Sequence, residues 1–337
     1  MSDIRKKRNS SLDVLKGVAA IFVILIHEQF PGTFGKWIAM LAGFAVPVFF
    51  MVSGYFSYNA PKERLKTSIK HILVLIVIAY VLNIGRLLVT NHFSVTAVCN
   101  YFIEEILTIK HIAMWLLLNV TLVSGVAWFL FALLYCYIFC LIFHKMFLSG
   151  KICAFIMLGF AGGLVLRMVF PLLGMNSFGT NNAWCCGIPY FLCGLFIRQK
   201  QEEIVPCVSC SKCCVAAGVG CVLITIALLV NDNISYIGVV PLAVSIFALC
   251  IKYPRLECGM LERIGNEHAF YVYIGHPIVI HFINAILPRA EGGLMAWLRP
   301  LIVISMTIGS AMLFYPGLNL LRKEWQKVYD HWFQKAN

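Results

Sequence analysis

Apolar runs of about 20 residues follow one another from residue 12 to residue 321, each long enough to carry an α-helix across ~30 Å of hydrocarbon. Lipid offers an open backbone no hydrogen-bond partner, so a chain built this way folds as a helical bundle or a closed barrel. The runs are too long and too evenly apolar for barrel strands, which leaves an all-α polytopic membrane protein. Composition agrees: 61% of the residues are hydrophobic and 12% charged, about half the charged share of a soluble domain. Ten spans are predicted, at 12–31, 36–57, 69–90, 126–147, 151–173, 183–198, 213–230, 235–252, 264–287 and 297–321. Of these, 183–198 is short for a crossing, and 213–230 and 235–252 lie near the lower limit. The first run is too long for a cleavable signal and leads at once into a second, so it is expected to remain as a helix. No repeat, low-complexity tract or soluble segment interrupts the pattern. One membrane domain over 1–337 is expected, with tails at 1–11 and 322–337.

The formal net charge of +12 invites a nucleic-acid reading. Its placement argues otherwise. With ten spans both termini share a side, and if that side is cytoplasmic it holds 20 of the 27 Lys and Arg residues. The outer side holds 4 (Lys36, Lys110, Arg289 and Arg299), and Lys16, Arg86 and Arg167 fall within spans. This is the positive-inside asymmetry of a multi-pass protein of the cell membrane, expected here to be a bacterial cytoplasmic membrane. The long stretch 91–125 then lies outside, where its mixture of apolar residues with Glu104, Glu105, Lys110 and His111 suits an interfacial helix followed by a re-entrant piece. Of the 14 cysteines, most sit in apolar runs and act as small hydrophobes. The cluster "PCVSCSKCC" has four thiols but no second half to complete a metal site, so it is expected to be a reduced cytoplasmic loop without metal.

The first span, "SLDVLKGVAAIFVILIHEQFP", carries Asp13, Lys16, His27 and Glu28. Charges at such depth are expensive and usually face a bundle interior or a cavity. Lys16 and His27 are eleven residues apart, about three helical turns, which puts them on one face separated by ~16 Å. Lys16 alone would be read as snorkelling to the interface and His27 as an interior histidine. As a pair on one stripe they are better explained by a lined cavity. Glu28 lies ~100° around the helix and is not placed to orient the same imidazole, so an orienting partner is expected from another helix.

These residues also carry a resemblance. "SLDVLKGVAAIFVILIH" resembles the first helix of the integral-membrane acyltransferase 3 family, whose signature is a basic residue, ten residues, then histidine; Lys16 and His27 match it, with lysine for the commoner arginine. "AVPVFFMVSGYF" at 45–56 is similar to the family's F-F-x-x-S-G stretch, "AWFLFAL" at 127–133 to its W-F-L segment, and "IGNEHAFYVYIGHP" at 264–277 to its late helix ending in Y-x-x-H-P. The chain departs from the pattern at His268, where the family usually has serine, and in a loop richer in lysine than arginine after the second helix. Because the chain stops soon after its last span, a fused soluble esterase-like domain is not expected.

The resemblance implies transfer of an acyl group, most often acetyl, from cytoplasmic acyl-coenzyme A to a hydroxyl of a cell-envelope or exported carbohydrate. Lys16, Arg64, Lys66 and Lys70 are the candidates for holding the donor phosphates, with lysine acting as a point charge. His27 is the candidate base, or alternatively the residue that first accepts the acyl group. Ser53, Trp128, Arg167, Tyr273 and His276 are candidates to line the cavity or meet the acceptor. Trp128 reads equally as an interfacial anchor, and His276 as a polar residue packed between helices. A rival class is a proton-linked transporter or flippase of a small solute or lipid-linked sugar, which the same buried charges would serve. A thiol oxidoreductase would need a cysteine pair at the outer face, where Cys185 and Cys186 are adjacent in sequence.

Overall fold

A computed structural model describes residues 9–119, 127–147, 152–172, 181–289 and 292–334, and among them every regular element is helical. Helix α1 is Ser10–His27, and a broken pair follows, α2 (Gly32–Leu41) and α3 (Ala45–Ser57), joined through a 3-10 turn at Ala42–Phe44. Next come α4 (Lys62–Thr90), the short α5 (Val95–Tyr101) and α6 (Ile109–Leu118), then α7 (Trp128–Phe147), α8 (Ile152–Leu172) and α9 (Ile188–Gln199). The chain closes with α10 (Gln201–Cys207), α11 (Cys210–Val230), α12 (Ser235–Lys252), α13 (Gly259–Arg263), α14 (Ala269–Ile286) and the long α15 (Leu294–Gln334). Prolines 171, 241, 277, 300 and 316 lie inside these helices, as packed membrane helices tolerate.

Each of the ten predicted spans meets a helix. Eight helical stretches among the described residues are long and apolar enough to cross a membrane, and Trp128–Phe143 is a shorter apolar one. Helix α9 has 12 residues, about 18 Å at 1.5 Å per residue, well short of a bilayer. It is buried along most of its length, so protein rather than lipid covers it and the shortfall carries no mismatch. A π-helical turn at Ala183–Gly187 precedes it, capped by Asn182, whose side chain accepts from the amides of Trp184 and Cys185 at 2.9 Å each. The buried share of the spanning window separates centre from rim: 61% for α1 against 11% for α8. Thus α1 is a core helix and α8 faces outward.

Two close crossings fix the core. A Cβ on Gly17 or Gly265 would sit 2.1 Å from the Leu261 carbonyl oxygen or 1.7 Å from that of Asp13, so α1 presses directly on the α13–α14 junction, which is a π-helical turn at Ile264–His268. Gly54 and Gly194 do the same for α3 and α9, against the carbonyls of Phe191 and Met51. Small residues are what allow helix backbones to approach this closely where no hydrophobic driving force operates. Three of the resembling stretches therefore meet as packing surfaces: the glycine after Lys16 packs on the junction that holds Gly265, and the serine–glycine of α3 packs on α9.

Hydrogen bonds sort the helix ends into two sets. At one end Asn9 caps α1 and also donates to the Cys250 carbonyl at 3.2 Å, Ser11 accepts from the Leu256 amide at 2.9 Å, and Lys252 donates to the Val205 carbonyl at 2.9 Å. At the other, Trp37 donates to Thr225 at 2.9 Å and Trp184 to the Leu117 carbonyl at 2.8 Å. Helix α6 sits at this second end, where the predicted outer segment belongs. The left-handed residue Asn119 pins it there: fully buried, it donates to the Trp128 carbonyl at 2.7 Å and accepts from the Ala183 amide at 2.6 Å. The cysteine-rich stretch is not a loop, because Cys207 ends α10 and Cys210 opens α11, where its Sγ lies 3.9 Å from that of Cys214.

Candidate functional site

His27 is the last residue of α1, four residues short of the predicted end of the span, because the chain turns extended at Glu28. The turn has an electrostatic cause. The Glu28 carboxylate is buried and held on both sides, by Arg299 Nε on Oε1 at 2.7 Å and by Arg289 Nη2 on Oε2 at 3.2 Å. Arg299, itself buried, also donates to the Leu287 carbonyl and to Asn284 Oδ1 at the end of α14. Arg289 Nη2 also donates to the His27 carbonyl at 3.0 Å. The two guanidiniums thus occupy the carbonyl ends of α1 and α14, where the helix dipoles favour cations. The ends of α1, α14 and α15 are clasped around one carboxylate.

The His27 ring is exposed rather than buried as the sequence suggested, and it opens on a cavity of about 300 Å³. His27, Glu28, Gln29 and Phe30 line the cavity from one side, and Arg289, Ala296 and Arg299 from the other. The inner face of the His27 ring stacks on His276 from α14, with centroids 5.1 Å apart and planes 28° apart. His276 is fully buried, and among the described residues neither of its ring nitrogens has a hydrogen-bond partner. Tyr273, one turn earlier, meets His276 edge-on at 5.9 Å and packs on Phe129 at 5.1 Å. Phe50 links Phe129, at 4.9 Å, to Trp128, at 6.2 Å. The other-helix partner of His27 is therefore a stacked imidazole, and an aromatic chain leads from it into the core.

A buried histidine beside a surface-opening histidine, at the end of a helix bearing Lys16 eleven residues earlier, repeats the resemblance in three dimensions. The family model described as an acyltransferase domain matches residues 9–316. The chain belongs to the acyltransferase 3 family. Comparisons with curated proteins and with solved structures gave no match. The family match runs from the Asn9 cap of α1 into α15, so all the spans but the tail of the last, and the whole His27 site, lie inside it. The protein is accordingly a multi-pass membrane acyltransferase.

The other residues expected to serve an acyltransferase are spread over separate places. Lys16 pairs with Asp13 at 2.8 Å, its side chain 22% exposed, at the end of α1 opposite His27. Between them the stripe carries Ala20 and Val23, both fully buried, so the cavity expected along this face is closed at these residues, and space opens at the His27 end. Arg64 and Lys66 are exposed on the first turns of α4, where Lys66 pairs with Glu63 at 2.9 Å, and Lys70 lies half-buried one turn on. Ser53, part-buried, donates to the Phe49 carbonyl at 2.8 Å and lies beside the Tyr137 hydroxyl. Arg167 donates to Asn181 at 2.7 Å and lies 4.8 Å over the Tyr236 ring, in a cluster with the α8–α9 connection and not with His27. Trp128 packs on Phe50 at the far end of the aromatic chain.

Glu28, Arg289 and Arg299 are the residues the sequence reading passed over. Glu28 was set aside by its angle around a helix that in fact ends before it. The two arginines read as outer-side topological charges. Their signal was present all the same: three charges at the ends of three apolar runs, with "HEQFP" ready to break a helix at Pro31.

Proposed function

We propose that the protein is an O-acyltransferase that moves an acetyl group from cytoplasmic acetyl-coenzyme A to a hydroxyl of a cell-envelope or exported carbohydrate. The observation that carries this reading is the His27 ring, stacked on His276 and open to a cavity at the end of the bundle away from Lys16. In the proposed reaction the His27 imidazole takes the proton of the acceptor hydroxyl as its oxygen attacks the thioester carbonyl. The carbon–sulfur bond breaks, and the coenzyme A thiolate leaves and recovers the proton from the imidazolium. His276 supports one face of the ring, which leaves its edge to the reactants. Lys16 and the basic start of α4 would hold donor phosphates. The donor arm would reach His27 only once α1 parts from the neighbours that bury Ala20 and Val23.

The test is release of free coenzyme A thiol from acetyl-coenzyme A by the purified full-length protein. His27→Ala is expected to cut turnover by about 10²–10⁴-fold while the protein still folds and binds donor, as loss of a general base does. His276→Ala is expected to be milder. Near-normal turnover in His27→Ala removes the catalytic assignment, and an acyl group trapped on His27 without acceptor replaces direct transfer with an acyl-histidine route.

A further inference from the structure

The two arginines at the cavity are not equivalent. Arg299 is buried, and all three of its guanidinium nitrogens are used, on Glu28, Leu287 and Asn284. Arg289 has a side chain 60% exposed and is held by one nitrogen alone, Nη2, which serves both the His27 carbonyl and Glu28. Among the described residues its Nε and Nη1 have no hydrogen-bond partner, and Arg289 lines the cavity. One carboxylate set against two guanidiniums leaves a surplus positive charge among the described residues of the lining. Cδ separates the Nε and Nη1 donors, so an incoming carboxylate takes a single charge-assisted hydrogen bond from one of them, with the positive charge of the guanidinium beside it.

Beside this guanidinium stands an aromatic cluster. The rings of Phe30, Phe34 and Trp297 meet pairwise at 5.8, 6.0 and 5.6 Å, and Phe30 also lines the cavity. Phe34 and Trp297 keep about half of their surface exposed, at 48% and 46%. Aromatic residues at a helix end often do no more than anchor a protein at the membrane interface. Here the cluster reaches, through Phe30, a cavity that already holds an open guanidinium and the proposed base, with Phe34 and Trp297 behind Phe30. An apolar face, an open guanidinium donor and a base at one cavity match the apolar face, the acid group and the hydroxyl of a uronic-acid ring.

We infer that this cavity is the acceptor subsite and that it takes an anionic sugar, a pyranose carrying a carboxylate, with Arg289 on the carboxylate and the Phe30–Phe34–Trp297 cluster against the ring. Calling the bound sugar an acceptor rests on the acyl-transfer reading; its anionic character does not, and is tested by binding alone. The experiment uses full-length protein in neutral detergent and reads quenching of tryptophan fluorescence by trigalacturonate and by its uncharged methyl ester. Wild type is expected to bind the acid at least about tenfold tighter than the ester, as one charge-assisted pair supplies. The gap should fall below about twofold in Arg289→Gln, survive in part in Arg289→Lys, and shrink with added salt. Trp297→Ala should weaken both probes alike. Equal affinity for acid and ester, binding of neither, or a gap that persists in Arg289→Gln overturns the assignment. So does displacement of trigalacturonate by phosphatidylglycerol but not by phosphatidylcholine, which would transfer the site to a lipid headgroup. Coenzyme A release is measured separately: its absence would sink the acyl-transfer reading and leave these affinities standing.

Discussion

At the residue scale, charge placement decides what each side chain does. Glu28 is taken out of water at the end of a spanning helix, and only two arginines from other elements make that tolerable. Removing one partner of a buried pair strands the other, at a cost of about 3–5 kcal/mol. Glu28→Ala is therefore expected to lower the melting temperature in detergent clearly, and Glu28→Met with Arg299→Met to melt above either single variant, because the double change leaves no buried charge alone. Additive losses would show that the clasp is not the unit described. Lys16 poses a different question, since its ammonium already has Asp13 at 2.8 Å. If it holds a donor phosphate, Lys16→Ala weakens acetyl-coenzyme A binding in equilibrium dialysis while Lys16→Arg, which keeps the charge, stays close to wild type. Equal donor affinity in all three proteins would reduce Lys16 to the partner of Asp13.

At the scale of helices, backbone approach matters more than side-chain size. The α1 crossing places the Asp13 carbonyl where a Gly265 Cβ would stand, whereas a Cβ on Gly275, further along the same stretch, would meet nothing within 4 Å. Gly265→Ala is thus expected to destabilise by about 1–3 kcal/mol, the range for overpacking a filled core. Gly275→Ala is expected to be neutral or slightly stabilising, since alanine is the better helix former. Thermal unfolding of the pair reads the difference, and equal melting temperatures would mean that α1 does not sit on this junction. The same crossing holds both functional parts of the late motif: the π-helical turn at Ile264–His268 packs on α1 near Lys16, and His276 stacks on His27 at the other end. One helix–helix contact therefore sets the relation between the two ends of the proposed reaction path.

At the scale of the molecule, native cysteines report which end faces the cytoplasm. Cys99 is exposed on α5, and Cys210 and Cys258 are exposed at the opposite set of helix ends. In variants that retain one of these thiols, a membrane-impermeant maleimide added to intact cells is expected to label Cys99 and to spare Cys210 and Cys258 until the membrane is opened. The expectation rests on the 20 to 4 division of Lys and Arg. The reverse labelling would invert the bundle and with it the direction of transfer.

The sequence by itself determined the all-helical bundle, its ten apolar segments, the family and the pairing of Lys16 with His27 on one helix, because these depend on hydrophobic length, local periodicity and a linear motif. Even the short α9 was legible as a deficit in length at 183–198. Whether the Lys16–His27 stripe is open was not legible: Ala20 and Val23 read the same on a cavity wall and in a packed crossing, and only the neighbours that bury them closed it. Nor could the chain alone assemble the site around His27. Glu28, Arg289 and Arg299 come from the ends of three helices, up to 271 positions apart, and His276 from the middle of α14, and charges that far apart acquire partners only when tertiary packing removes the water between them.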